Sequence, residues 1–319
     1  MISEKIVVGA GTEYPLNGLM TFPDAPEGKV PGAVFVHGSG PSNMDEKIYA
    51  LTPFKDLAEG LAARGIASVR YDKRTFAHGR KMAKQPVTVR EETVEDAILA
   101  AELLRKDPRI DPEAVFIIGH SMGAMLAPRI DAEGGDFRGL ILLAGTPYRL
   151  EEILVRQLKK AGGSGGGLVA LMGKLEDKIF SKKFAGLYDM PDQEAKKKKF
   201  AGPTTLWYFK EAGRKTAADY LLESDKPVLI LQGGRDFQVL PDVDFARFKE
   251  LLKDRDNVEY RLYDQLNHLF VKGLYNDIRK AGKEYKVEQH IGPEVLDDIA
   301  AFIRSAAQDR PGTEKEEKP

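Results

Sequence analysis

Short, fully apolar runs alternate along much of the chain with longer stretches whose apolar residues recur at helical spacing. That alternation predicts a parallel sheet covered by helices. Ile2–Val8 and Leu16–Phe22 read as an N-terminal hairpin, with Asn17-Gly18 and Pro23 as punctuation. Ala33–Val36 reads as a buried strand, Pro53–Arg64 as a helix ended by Gly65, and Ile66–Arg70 as the next strand. Val89–Arg105 places Val94, Ala97, Ile98, Ala101 and Leu104 on one helical face. A strand over Val115–Ile118, a helix from Met122 and a strand at Leu140–Leu143 follow.

The alternation breaks after position 145 and resumes near 225 with strand Val228–Leu231, helix Val243–Leu252, strand Val258–Tyr263 and helix Pro293–Ala306. We therefore expect a core formed by 1–145 and 225–307, and a helical lid over 146–224. The lid stretch carries the glycine run Gly162–Gly166, the amphipathic pieces Leu168–Leu175 and Thr204–Phe209, and the basic run Lys196–Lys199, which reads as a solvated helix face. Residues 308–319 are charged, contain Pro and Gly, and read as a disordered tail.

Composition narrows the classes. The formal net charge of -1 across 319 residues gives no global field for nucleic acid or an anionic membrane. Without cysteine, disulfides, thiolate catalysis and Cys-ligated metal are excluded. The N-terminus lacks a signal-peptide layout, and no apolar run approaches the roughly 18 residues of a membrane span, so a cytoplasmic protein is expected.

The chemistry concentrates at Gly119-His120-Ser121-Met122-Gly123, a Gly-x-Ser-x-Gly pattern between an apolar strand and a helix. That context predicts a nucleophile elbow with Ser121 at its apex. Gly162-Gly163-Ser164-Gly165-Gly166 also fits the bare pattern, but it follows a basic segment and reads as a flexible loop. A serine hydroxyl needs a base to take its proton and an acid to orient that base. His268 follows the last strand and Asp236 follows Val228–Leu231, so both fall beyond strand carboxyl ends. Asp264 is a rival acid, and Asp236 alternatively pairs with Arg235 or caps the helix near Pro241. His78 and His290 compete less well for the base. The glycine turn His37-Gly38-Ser39-Gly40 is expected to supply one oxyanion donor at the Ser39 amide, beside the Met122 amide. His37, Gly38 and His120 are expected to line the substrate site. Arg70-Tyr71-Asp72-Lys73-Arg74 reads as an ion-pair network at a strand end.

Taken together, Val36–Ser42, Leu57–Ile66, Arg70–Arg74, Gly119–Gly123 and Leu266–Phe270 resemble the α/β-hydrolase superfamily, and more narrowly bacterial serine esterases. The resemblance implies an α/β-hydrolase fold, a Ser121–Asp236–His268 triad and hydrolysis of carboxylic esters with short acyl chains; a thioesterase, acyltransferase or small-peptide hydrolase using the same triad, or a non-catalytic binding protein of this fold, stays open, because fold and triad do not select the leaving group. It implies a small-molecule ester substrate with neither cofactor nor metal, and it leaves a homo-oligomer open.

Overall fold

The structure is a computed structural model that describes residues 1–25, 27–163, 180–275 and 277–309. Ser164, Gly165 and Gly166 of the glycine run, the piece Leu168–Leu175 and the tail beyond 309 lie outside the described residues. Most of the expected helices and strands form, but the strand expected at Val115–Ile118 begins at Ile110, and the helix expected over Val243–Leu252 opens with a π-helical turn, Pro241–Phe245.

One eight-stranded sheet organises the chain. Its strands are β1 (Ile2–Val8), β2 (Leu16–Phe22), β3 (Val30–Val36), β4 (Ala67–Tyr71), β5 (Ile110–His120), β6 (Leu140–Leu143), β9 (Val228–Gly233) and β10 (Val258–Tyr263). A separate ribbon of β7 (Lys199–Ala201) and β8 (Thr204–Thr205) falls between β6 and β9 in sequence. The sheet order is β1-β2-β4-β3-β5-β6-β9-β10. β1, β2 and β4 pair antiparallel in succession, and every pairing from β4 to β10 is parallel.

Period two along the strands splits the core into two layers. Val34, Val36, Ile117 and Ile230 face a layer with α3 (Glu95–Lys106) and α4 (Met122–Ile130). Ala33, Phe35, Phe116, Ile118 and Leu231 face the other layer, with α1 (Pro53–Ala62) and the helix Pro293–Gln308. Strands covered on both faces read as continuous apolar runs, which is the pattern the sequence carries.

The helix expected over 89–105 differs in its first turn. Residues Arg90–Val94 form a π-helical turn before α3 begins. The chain passes from β3 out to β4, then returns to lay β5 on the other side of β3. The carboxyl ends of β3 and β5 therefore frame the topological switch point, where sheets of this kind open a crevice.

Between β6 and β9 the chain forms helices Leu150–Gly163, Asp192–Lys197, Leu206–Ala212 and Ala217–Leu222, together with the short ribbon. Leu187, Ala195, Leu206 and Phe209 make a small apolar cluster of their own there. In the basic run, Lys198 pairs with Glu194 at 2.6 Å and Lys196 lies over the Trp207 ring.

Candidate active site

Ser121 sits between β5 and α4 with φ 53° and ψ −114°, a backbone conformation rarely adopted by a residue with a side chain. Its amide donates to the Leu143 carbonyl at 2.8 Å, which anchors the turn on the neighbouring strand. The flanking glycines are required by packing. A Cβ at Gly119 would overlap the Gly123 carbonyl, and a Cβ at Gly123 would overlap that of Val36. Met122, immediately after Ser121, opens α4, so its N–H has no acceptor within the helix.

His268 and Asp236 meet at the same sheet edge. His268 Nδ1 is 2.7 Å from Asp236 Oδ2, and both residues are buried. The second Asp236 oxygen accepts from the Gln238 and Val239 amides at 2.7 and 2.9 Å, and Gln232 Nε2 donates to Oδ2 at 3.1 Å. A carboxylate with this many donors is fixed in place. Arg235 turns away to the Gly273 carbonyl, and the rival Asp264 is exposed and makes no hydrogen bond to His268. With Nδ1 engaged, Nε2 is the nitrogen left for chemistry. Among the described residues it accepts no bond from Ser121 Oγ, a contact that commonly tightens only when substrate arrives.

The histidine loop is fastened from behind. Asn267 Nδ2 donates to Glu284 Oε1 at 2.6 Å, and Asn267 Oδ1 accepts from the Leu269 amide at 2.9 Å. Glu284, fully buried, also accepts from the Leu274 and Tyr275 amides. The other candidate bases are occupied elsewhere: His78 Nε2 lies 2.8 Å from the Pro15 carbonyl, and exposed His290 pairs with Asp56.

The glycine turn after β3 brings Ser39 to the cavity beside Ser121 and Met122. Among the described residues the Ser39 amide has no acceptor. His37, Gly38 and His120, expected to line the substrate site, are all buried, and none of them lines the cavity over Ser121. His37 Nε2 lies 3.0 Å from the Asn43 carbonyl, and burial pushes its pKa down to about 4. Gly38 N–H donates to Glu46 Oε1 at 2.7 Å. His120 Nδ1 is 3.0 Å from Glu46 Oε2, and its Nε2 is 3.0 Å from the His268 carbonyl. Burial opposes a charge on His120, but the Glu46 carboxylate outweighs it and raises the imidazole's pKa. Burial likewise opposes a charge on Glu46, yet His120 and the Gly38 amide hold that carboxyl below its usual range. One buried pair thus touches the glycine turn, the elbow and the histidine loop.

The 70–74 segment is the ion-pair network expected of it. Arg70 meets Asp45 at 2.9 Å, Lys73 meets Glu92 at 2.8 Å, and Arg74 meets Glu95 at 3.0 Å.

A cavity of about 450 Å³ opens over Ser121. Its apolar wall includes Met125, Leu150, Ile153, Leu154, Phe200 and Phe209, and its polar wall Thr75, Glu92, Thr146 and Tyr208. Of these, the residues from 150 to 209 come from the helical insertion. Glu92, Gln232, Glu46 and Glu284 were not singled out from sequence, since nothing in their local spacing marks them. Among the described residues no group of three or more His, Asp or Glu side chains is arranged to hold a metal.

An elbow serine stands at a switch point, and a hydrogen-bonded histidine and aspartate lie at the same edge of the α/β sheet. The chain belongs to the alpha/beta hydrolase family, whose model matches residues 33–272. Esterase EstD of Thermotoga maritima is 34% identical over 288 residues, which cover 90% of this chain and 65% of EstD, so the chain spans about two thirds of that relative's length. Two solved structures share the fold. Est1E from Butyrivibrio proteoclasticus gives a TM-score of 0.58 at 15% identity, covering 95% of this chain and 98% of Est1E. The Pyrococcus furiosus esterase PF2001 gives 0.57 at 15% identity, covering 96% and 91%. Among the described residues no helix is long and apolar enough to cross a membrane.

Proposed function

We propose that this protein is a serine carboxylesterase that hydrolyses short-chain carboxylic esters through an acyl-enzyme on Ser121. The observation that carries the reading is the 2.7 Å contact between His268 Nδ1 and Asp236 Oδ2, at the sheet edge where the Ser121 elbow also lies. Similarity to EstD supports the ester as substrate class.

In this reading His268 Nε2 takes the Ser121 proton as Oγ attacks the ester carbonyl. The Met122 and Ser39 amides stabilise the oxyanion. The intermediate collapses as His268 returns the proton to the leaving alkoxide. Water, deprotonated by His268, then adds to the acyl-enzyme and releases the acid. Asp236 holds the tautomer that leaves Nε2 free to accept, and it offsets the imidazolium charge. The core is formed by 1–145 and 225–307, and the insertion 146–224 acts as a lid whose apolar residues receive the acyl or alkyl chain.

A fluorophosphonate probe with peptide mapping tests this directly. Labelling at Ser121, together with turnover of p-nitrophenyl acetate or butyrate, is the expected result. Failure of folded protein to label or turn over any ester would overturn the reading. Parallel assays on matched thioesters and amides test whether the oxygen ester is preferred.

A further inference from the structure

Lys73 is almost fully buried, with 2% of its side chain exposed, yet it is one half of an ion pair. Its ammonium makes two contacts at 2.8 Å, one to Glu92 Oε1 and one to the Gly38 carbonyl oxygen. The second contact is with the peptide that joins Gly38 to Ser39. That peptide is planar and trans, so its carbonyl and its N–H point in opposite directions. With the carbonyl drawn down onto Lys73, the Ser39 N–H is turned the other way, and Ser39 lines the cavity beside Ser121 and Met122. The preceding peptide is pinned as well, because the Gly38 N–H donates to Glu46 Oε1 at 2.7 Å.

A chain of contacts continues outward from Lys73. The second oxygen of Glu92 accepts the Tyr208 hydroxyl at 2.6 Å. Tyr208 lies on the insertion helix Leu206–Ala212, and both it and Glu92 face the cavity.

We propose that Lys73 is a positioning residue for the oxyanion hole: it fixes and polarises the Gly38–Ser39 peptide, while Glu92 and Tyr208 of the insertion hold its ammonium in place. The inference rests on the reading of the Ser39 amide as an oxyanion donor. A buried ion pair contributes little net stability compared with apolar residues of the same volume, so stability alone gives no reason for a charge beneath this turn. Orientation and polarisation do. A charged donor on the carbonyl withdraws density from the peptide and strengthens the N–H as a donor on the opposite side. The donor is then in place before charge develops on the substrate, which is the condition for transition-state stabilisation.

The test pairs steady-state kinetics with a trifluoromethyl ketone, which adds Ser121 Oγ to its carbonyl and leaves an oxyanion in the hole. The double variant Lys73→Met/Glu92→Gln removes both charges together and leaves neither buried alone. We expect kcat for p-nitrophenyl butyrate to fall about 10- to 100-fold with KM little changed, and ketone affinity to fall by the same factor. An unchanged kcat, or a lower kcat with ketone affinity intact, overturns the proposal, since a merely structural lysine would not track the oxyanion.

Tyr208→Phe carries the same test should the double variant not fold. There kcat and ketone affinity are expected to fall together by about 5-fold, the worth of one hydrogen bond, and no loss in either overturns the proposal. Ser121→Ala in the same assay separates the two levels. If it still turns over ester, the serine reading itself falls; if it is inactive while both other variants behave as wild type, only the role of Lys73 falls.

Discussion

His268 Nδ1 lies 2.7 Å from Asp236 Oδ2, although 32 residues of chain separate them. Gly233 and Gly234 make the approach possible. A Cβ at Gly234 would stand 2.7 Å from the Asp264 α-carbon, and one at Gly233 would press on the Leu266 and Asn267 carbonyls. The aspartate turn and the histidine loop therefore pack backbone to backbone, which brings the two side chains together.

Asp236→Asn keeps the shape of the acid but offers the imidazole an amide that stabilises the wrong tautomer. The expected fall in kcat is about 10⁴-fold, with little change in thermal stability. Ser121→Ala should abolish turnover and likewise leave the melting temperature near that of the parent. Burst kinetics with p-nitrophenyl acetate, alongside a melting curve for each variant, check both outcomes.

Gly123→Ala should act on folding rather than on chemistry. The added Cβ would overlap the Val36 carbonyl, which is held in the sheet and cannot yield. The expected cost is about 3 kcal/mol, read as a lower urea midpoint at unchanged slope.

The Glu46–His120 pair should leave a signature in stability against pH. The His120 pKa is raised above its ordinary 6.5, so its share is fully present below that value and is lost as pH rises through the folded pKa. The Glu46 pKa is lowered from 4.5, so its share is present above that value and is lost as pH falls through the folded pKa. Other charges nearby, Asp236 and Lys73 among them, are common to the parent and a Glu46→Gln variant. The stability difference between the two should therefore be greatest between pH 4.5 and 6.5 and shrink on either side. Urea midpoints taken inside that range and on both sides of it test it; a difference flat in pH throughout would show that the pair is not charged.

Ile153 is 6% exposed and forms part of the cavity wall contributed by the insertion. Ile153→Trp should shorten the space available to an ester chain. We expect kcat/KM to fall roughly 10-fold or more for octanoate while acetate is nearly unaffected. A p-nitrophenyl ester series on both proteins gives the answer, and an unshifted profile would place the chain elsewhere.

Much of this was legible in the chain because its causes are local. The apolar runs mark strands covered on both faces, and the spacing of Gly119 and Gly123 about Ser121 is a steric requirement of one sharp turn. Asp236 and His268 were readable from their places just beyond strand ends. The supports were not. Glu46 reaches His120, Lys73 reaches Gly38 and Asn267 reaches Glu284 across the fold, and no period or motif connects them. His120 misleads for the same reason, since its glycine motif suggests a residue facing substrate while the turn directs its ring inward to Glu46 and the His268 carbonyl. The π-helical turn Arg90–Val94 is equally silent, because its apolar spacing differs little from that of the helix it precedes.

β5 runs through the interior of the sheet with parallel partners on both sides, β3 and β6, and it ends at the residue before Ser121. Amide hydrogens in such a strand exchange with solvent only when neighbouring strands separate. The perch of the serine is thus part of the slowest-opening unit of the molecule. Heat or denaturant should remove the nucleophile's posture and the fold in one event.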